Sequence, residues 1–293
     1  MEFTGERFVP TETINPRLAL EHWHRYLWAS EFVANKNVLD IACGEGFGSN
    51  FLAKRAKSVL GADISEQTVL HAQNKYKQDN VEFRQMSADS IGLEDKSMDV
   101  VVSFETIEHV DASTQEKAIK EFSRVLKDDG LLFITTPGIK SPLHCKYNEF
   151  HIKECSYEEF EALLSKQFKY VRIIGQSIYN ASAIGDSEIG AKVLSRKFDK
   201  YDQAHEHDVQ LDKYLVAVCS NTAIDELGLS SVLVDRRIIL PVNEPEKDKE
   251  LNVLGILVCL FKVFMYSLRA KTASEEKAKK YTEKKVKYLN KLM

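Results

Sequence analysis

Proline is scarce in this sequence, six residues among 293, and its thirteen glycines keep no collagen-like period. With 44% hydrophobic residues the chain can bury a full core, which excludes a fibrous or globally disordered protein. Cysteine is rarer still. Cys43, Cys145, Cys155, Cys219 and Cys259 form no Cys-x-x-Cys pair and keep no regular spacing, which argues against structural zinc and for reduced thiols in a reducing compartment. Positive charge is also in short supply. The formal net charge of -4 offers no polycation for a nucleic-acid backbone, so no nucleic-acid partner is expected. The opening MEFTGERFVP has no basic-then-apolar leader, so the main body of the chain is expected to stay in the cytoplasm. Long apolar runs are missing too, with one exception near the C-terminus.

That exception, LNVLGILVCLFKVFMYSL at 251–268, is followed by nine Lys/Arg against three Asp/Glu from Arg269 onward, a net of +6 that leaves -10 on residues 1–268. Eighteen residues sit at the lower limit for a bilayer span, and Lys262 near the middle would be costly there. An apolar helix in the cytoplasmic leaflet with its basic tail on anionic lipid fits better. The alternative is a helix docked on the domain, on a second copy in a homo-oligomer, or on a glycosyltransferase partner.

Before the tail, the hydrophobic pattern predicts an α/β fold. Arg17 to Val33 carries apolar residues at helical spacing behind Pro16, which predicts a helix over 17–34 lying as a lid ahead of the first strand. Strands and amphipathic helices then alternate: KNVLDIA, GFGSNFLAKRA, KSVLGAD, SEQTVLHAQNKY and VEFRQM. MDVVVSF, TQEKAIKEFSRVL and GLLFITT continue the alternation, and Ser156 with Glu159 forms a capping box opening another helix. YVRIIGQS and KYLVAVCS close the sheet around a long insertion at 180–210. The expectation is a Rossmann-like, seven-stranded, mostly parallel sheet with helices on both faces over residues 1–221, and a helical C-terminal extension over 222–293.

The strongest local signal is VLDIACGEGFG, a strand ending at Asp40 that runs into Gly44, Gly46 and Gly48 before a helix. Such glycines let a ligand approach the backbone closely. A nicotinamide dinucleotide would ask for Gly-x-Gly-x-x-Gly, and Ser49 stands where the third glycine would fall. Asp40 and Glu45 would also oppose a pyrophosphate, whereas a sulfonium and an ammonium suit them. Asp63 ends the second strand 23 residues after Asp40, where a carboxylate can accept both hydroxyls of a ribose.

The run from Val38 through Asp63, Ala88–Asp89 and VVSFETIEHV resembles the successive motifs of class I S-adenosylmethionine-dependent methyltransferases, over roughly residues 15–220. The resemblance implies that Gly44 and Gly46 line the methionine moiety, Asp63 holds the ribose, Ile64 lies on the adenine and Asp89 receives its amino group. Asp40 and Glu105 join this cofactor set. Arg25 is placed like the arginine that holds the methionine carboxylate in ubiquinone-biosynthesis O-methyltransferases.

An alcohol acceptor must lose a proton on methylation. Glu105, Glu108 and His109 share one face if a helical turn follows the fourth strand, and His109 is the candidate general base. His151, in a later loop expected at the same strand ends, is the alternative base, and Glu108 completes the catalytic set. Glu-x-x-Glu-His with a later His resembles the divalent-metal ligands of small-RNA 3'-terminal ribose methyltransferases, and occurs in ubiquinone O-methyltransferases. Glu105, Glu108, His109 and His151 would then hold Mg, Mn or Zn. The alternative is that both glutamates favour a helix N-terminus and His109 packs beside them.

GERFVP, EHWHRY and VLDIACGEGFGS together resemble methyltransferase domains of bacterial surface-polysaccharide (O-antigen type) enzymes. The expected acceptor is therefore a sugar hydroxyl of a surface glycan or its precursor, on the inner face of the membrane. A quinone-like phenol is the second acceptor. A non-catalytic, membrane-tethered scaffold is the rival from another class.

Overall fold

The structure, a computed structural model, describes residues 16–141, 144, 148–178, 198–199, 203–204, 209, 212–224 and 227–229. These fall in the first of two compact units, Met1–Arg236 and Arg237–Met293. The apolar stretch 251–268, the basic tail and most of the insertion at 180–210 lie outside the described residues.

The N-terminal helix α1 (Pro16–Ala29) closes with a 3-10 turn at Ser30–Phe32. Strand β1 (Asn37–Ile41) leads to α2 (Phe47–Leu52), β2 (Ser58–Asp63), α3 (Glu66–Lys75), β3 (Val81–Gln85) and β4 (Met98–Phe104). A 3-10 turn at Ile107–His109 precedes α4 (Ala112–Val125), β5 (Leu126–Pro137), α5 (Tyr157–Ser165) and β6 (Tyr170–Gln176). A two-residue pairing of β7 (Phe198–Asp199) with β8 (Gln203–Ala204) comes before β9 (Tyr214–Ser220).

The main sheet has seven strands in the order β3-β2-β1-β4-β5-β9-β6. Neighbours from β3 to β5 are parallel, and β9 runs antiparallel to both β5 and β6. Alternation sorts each strand between two hydrophobic layers. Leu39, Val101, Leu132 and Ala217 join the layer with α4 and α5, whereas Val38, Val102, Phe133 and Val218 join the layer with α1 and α2. Helices thus cover both faces, as the sequence pattern predicts.

Two details depart from the pattern. The second helix stops at Leu52 rather than continuing through Ala56. The Asp128–Asp129–Gly130 segment is taken up within β5, where the register against β4 shifts between Met98 and Val100. The capping box at Ser156 and Glu159 forms as expected, and Ser65 and Asp111 cap α3 and α4. Among the described residues no helix is long and apolar enough to cross a membrane.

Candidate functional site

All of the parallel strands end on one side, and the crevice there is where an open α/β sheet binds its ligand. A cavity of about 610 Å³ opens at that place, within the range for small-molecule sites.

Its floor is the turn after β1. Gly44 and Gly46 have φ of +55° and +91°, in the left-handed region that glycine adopts without strain. No neighbour lies within 4 Å of a Cβ built on Gly44, so this glycine leaves room on the cavity wall. At Gly46 a Cβ would meet Phe83 at 2.8 Å and Ala72 at 2.9 Å, so that glycine serves close packing instead. Asp63 lines the cavity from the tip of β2, its carboxylate accepting from Gly44 N–H (3.1 Å) and Ser65 N–H (2.9 Å). Ile64 beside it is 66% exposed, an open apolar platform suited to a planar ring.

Several residues expected around the cofactor take other places. Asp40 is buried on the α1–α2 side of β1, where alternation sends it, and does not line the cavity. It accepts from Ser49 Oγ (2.6 Å) and Tyr26 Oη (3.2 Å). Burial pushes its pKa up to about 7 despite those two donors, with Asp63 adding to the rise. Glu45 is buried against Lys75, with Tyr76 Oη at 2.8 Å, so its charge is paired within the fold rather than offered to a ligand. Asp89 accepts from Ser87 Oγ and leaves the cavity wall to Met86, Ser87 and Ala88.

Arg25 is buried behind the cavity. Its guanidinium lies 4.2 Å above the Tyr214 ring, Nε donates to Gln176 (2.7 Å), and Nη1 sits 3.7 Å from Glu105 Oε1. Burial opposes its charge, but Glu105 and Tyr214 outweigh that and raise its pKa. Among the described residues neither Nη1 nor Nη2 has a hydrogen-bond acceptor, so the guanidinium keeps donors for one more anionic group.

Another stretch of the cavity wall is built on the Ile107–His109 turn. Ile152 N–H and Lys153 N–H both donate to Glu108 O (2.8 and 3.1 Å), and Gln115 Nε2 ties Ile107 O to Lys153 O. The loop carrying His151 is thereby fastened onto the turn carrying His109, and the two rings meet edge-on with centroids 5.1 Å apart. His109 Nδ1 lies 3.0 Å from Phe150 O. A carbonyl can only accept, so Nδ1 carries the proton and Nε2 presents its lone pair. Glu108 is buried, with Oε2 near Thr136 Oγ1 (3.4 Å) and Oε1 without a hydrogen-bond partner. Burial and then Glu105 push its pKa well above the ordinary carboxylate value.

One ligand atom from each of Glu108, His109 and His151 lies within 4.8 Å of the other two. The orphaned Glu108 Oε1, 4.0 Å from His109 Nε2, is the kind of buried atom that a cation would satisfy, so these residues fit a divalent ion. Glu105 does not belong to the group. It precedes the turn with φ of +52°, and its carboxylate is directed to Thr135 Oγ1 (2.8 Å) and Arg25. The shared helical face expected for Glu105, Glu108 and His109 does not form, because the turn begins only at Ile107.

Sequence reasoning passed over Tyr26, His144, Asn148, Glu154 and Lys213. Glu154, at i+3 from His151, had a spacing signal; the others meet the site only through the fold. His22 also lines the cavity, and burial first, then Arg25 and Lys213, lowers its pKa well below the usual histidine value.

A family model described as a methyltransferase domain matches residues 39–134. A protein of Mycobacterium tuberculosis strain H37Rv, named as a probable S-adenosylmethionine-dependent methyltransferase, is 33% identical over 171 residues, 56% of this chain and 60% of that protein. The match therefore spans less than two thirds of that relative's length. A protein of Mycolicibacterium smegmatis named in the same way is 27% identical over 88% of this chain and 95% of its own. A Pseudomonas fluorescens ubiquinone biosynthesis O-methyltransferase is 34% identical over 44% of this chain and 54% of its own. The fold is shared with a Thermotoga maritima S-adenosylmethionine-dependent methyltransferase, TM-score 0.51 at 22% identity, over 74% of this chain and 97% of that one. The glycine turn, the carboxylate at the tip of β2 and the sheet order agree with these matches: over residues 39–134 the chain is similar to a methyltransferase domain, and the mycobacterial relatives are named as S-adenosylmethionine-dependent.

Proposed function

We propose that the protein is an O-methyltransferase that moves the donor's methyl group to a hydroxyl held between the Gly44 turn and the His109–His151 wall. The observation that carries this reading is His109 on the cavity wall, whose Nδ1–H on Phe150 O makes Nε2 the basic nitrogen of the ring. Displacement at the methyl carbon depends largely on alignment. The cofactor floor and the fastened 148–154 loop supply that alignment as rigid walls.

Asp63 orients the ribose, Ile64 covers the adenine, and Arg25 uses its unaccepted Nη1 and Nη2 for the methionine carboxylate. Glu108, His109 and His151 would hold a divalent ion, His151 by exchanging the Asn148 amide at Nε2 for it, and the ion when bound would lower the acceptor hydroxyl's pKa.

The Pseudomonas relative's name supports a small hydroxyl-bearing acceptor, such as a quinone-like phenol. A saccharide hydroxyl rests on the sequence resemblance of the GERFVP and EHWHRY stretches alone. Apolar residues 251–268 and the +6 tail support peripheral contact with an anionic membrane, which sedimentation with phosphatidylserine vesicles would detect. Incubation with methyl-labelled cofactor and a panel of catechols, nucleotide sugars and lipid-linked glycans tests the reading. Label should appear on a hydroxyl. Failure of S-adenosylhomocysteine to bind in a calorimeter would leave only a scaffold.

A further inference from the structure

Two imidazoles on the acceptor wall, His144 and His151, share one carboxylate that is not part of the wall. Their side chains are 13% and 15% exposed, and that of Glu154 is 22% exposed. Phe150 N–H donates to Asn148 Oδ1 (3.1 Å), which assigns the Asn148 amide and turns its Nδ2 to His151 Nε2 at 2.7 Å. His151 Nε2 therefore accepts, and the ring's proton sits on Nδ1, against Glu154 Oε1. The second oxygen, Oε2, lies 3.1 Å from His144 Nε2.

We propose that Glu154 is a positioning residue: it fixes the tautomer and direction of His151 and anchors His144 beside it, holding both rings toward the acceptor. The role rests on the reading that this wall receives the acceptor hydroxyl. Without Glu154, Asn148 alone faces His151, through a side chain that can rotate. With it, one carboxylate locks both rings, as outer carboxylates do for functional imidazoles.

The test reads the rings directly by long-range proton–nitrogen NMR on full-length protein with 15N-labelled histidine, at one fixed neutral pH. The native protein should show His151 as the Nδ1–H tautomer. In Glu154→Ala, where only the Asn148 amide still favours the Nδ1–H form, His151 should acquire Nε2–H tautomer and the His144 resonances should move with it, while S-adenosylhomocysteine affinity is retained. Glu154→Gln still offers an accepting oxygen, so it should keep Nδ1–H, but with that proton shifted upfield as the charge-assisted bond is lost. An unchanged His151 tautomer in the alanine variant, or an Nδ1 proton in the glutamine variant identical to native, overturns the proposal. Joint loss of tautomer and cofactor affinity does so too, since it would make Glu154 a general structural support. Failure of the O-methyltransferase reading shows elsewhere, as undiminished methyl transfer by His109→Ala, and leaves the tautomer result standing.

Discussion

Tyr26 and Asp40 join the N-terminal helix to the strand beneath the cofactor turn. The Tyr26 hydroxyl lies 3.2 Å from Asp40 Oδ1, and its ring fills the space beside Gly48, where a Cβ would come within 2.0 Å of it. This glycine in the first turn of α2 thus makes room for α1, and α1 in return covers an acid whose pKa burial raises to about 7.

Asp40 should make stability fall with rising pH. The folded state keeps its proton up to about pH 7, whereas an ordinary aspartate releases it near 3.8, so between those values the folded state binds more protons. Above about 7 both states are ionised and the slope ends. His22, with its lowered pKa, acts in the opposite sense, so the measurement is a difference between two proteins. Thermal melts across this range should show Asp40→Asn gaining on the native protein as pH rises. A constant difference in Tm would disprove it.

The glycines of the turn should separate by what their missing side chain leaves open. Gly44→Ala places a methyl group on the cavity wall at a left-handed φ, costing about 1–2 kcal/mol of stability, and should chiefly weaken S-adenosylhomocysteine binding in calorimetry. Gly48→Ala drives a methyl into the Tyr26 ring and should cost about 1–3 kcal/mol or more, seen first as a lower Tm.

His109→Ala should lower methyl transfer by about 10²–10⁴-fold at neutral pH, measured with labelled cofactor. S-adenosylhomocysteine affinity should hold, because His109 stands on the acceptor wall rather than beside Asp63.

Glu108→Gln should melt no lower than the native protein, since burial already disfavours the ionised carboxylate. Added Co²⁺ should raise the Tm of the native protein and leave this variant unmoved. An equal rise in both would place the ion elsewhere.

The sheet, its helices and the glycine turn after β1 were legible in the sequence because each rests on local chemistry. Apolar strands alternate with amphipathic helices, and a glycine turn followed by a strand-end carboxylate fixes Gly44 and Asp63 in register. Sequence spacing could not tell which side of a strand a charge would take. Asp40 and Asp63 look alike as residues at strand ends, yet one is sealed beneath Tyr26 and the other lines the cavity. The same limit applied to Glu105, whose left-handed φ turns it away from the Glu108–His109 turn toward Arg25, 80 residues back in the chain. Tertiary structure also decided the His144–Glu154–His151 cluster, because it depends on a loop tied by backbone hydrogen bonds to Glu108 O, more than 40 residues upstream of Lys153. Periodicity determines which elements form and which face they bury. Burial and long-range hydrogen bonds determine which charges remain to meet a substrate.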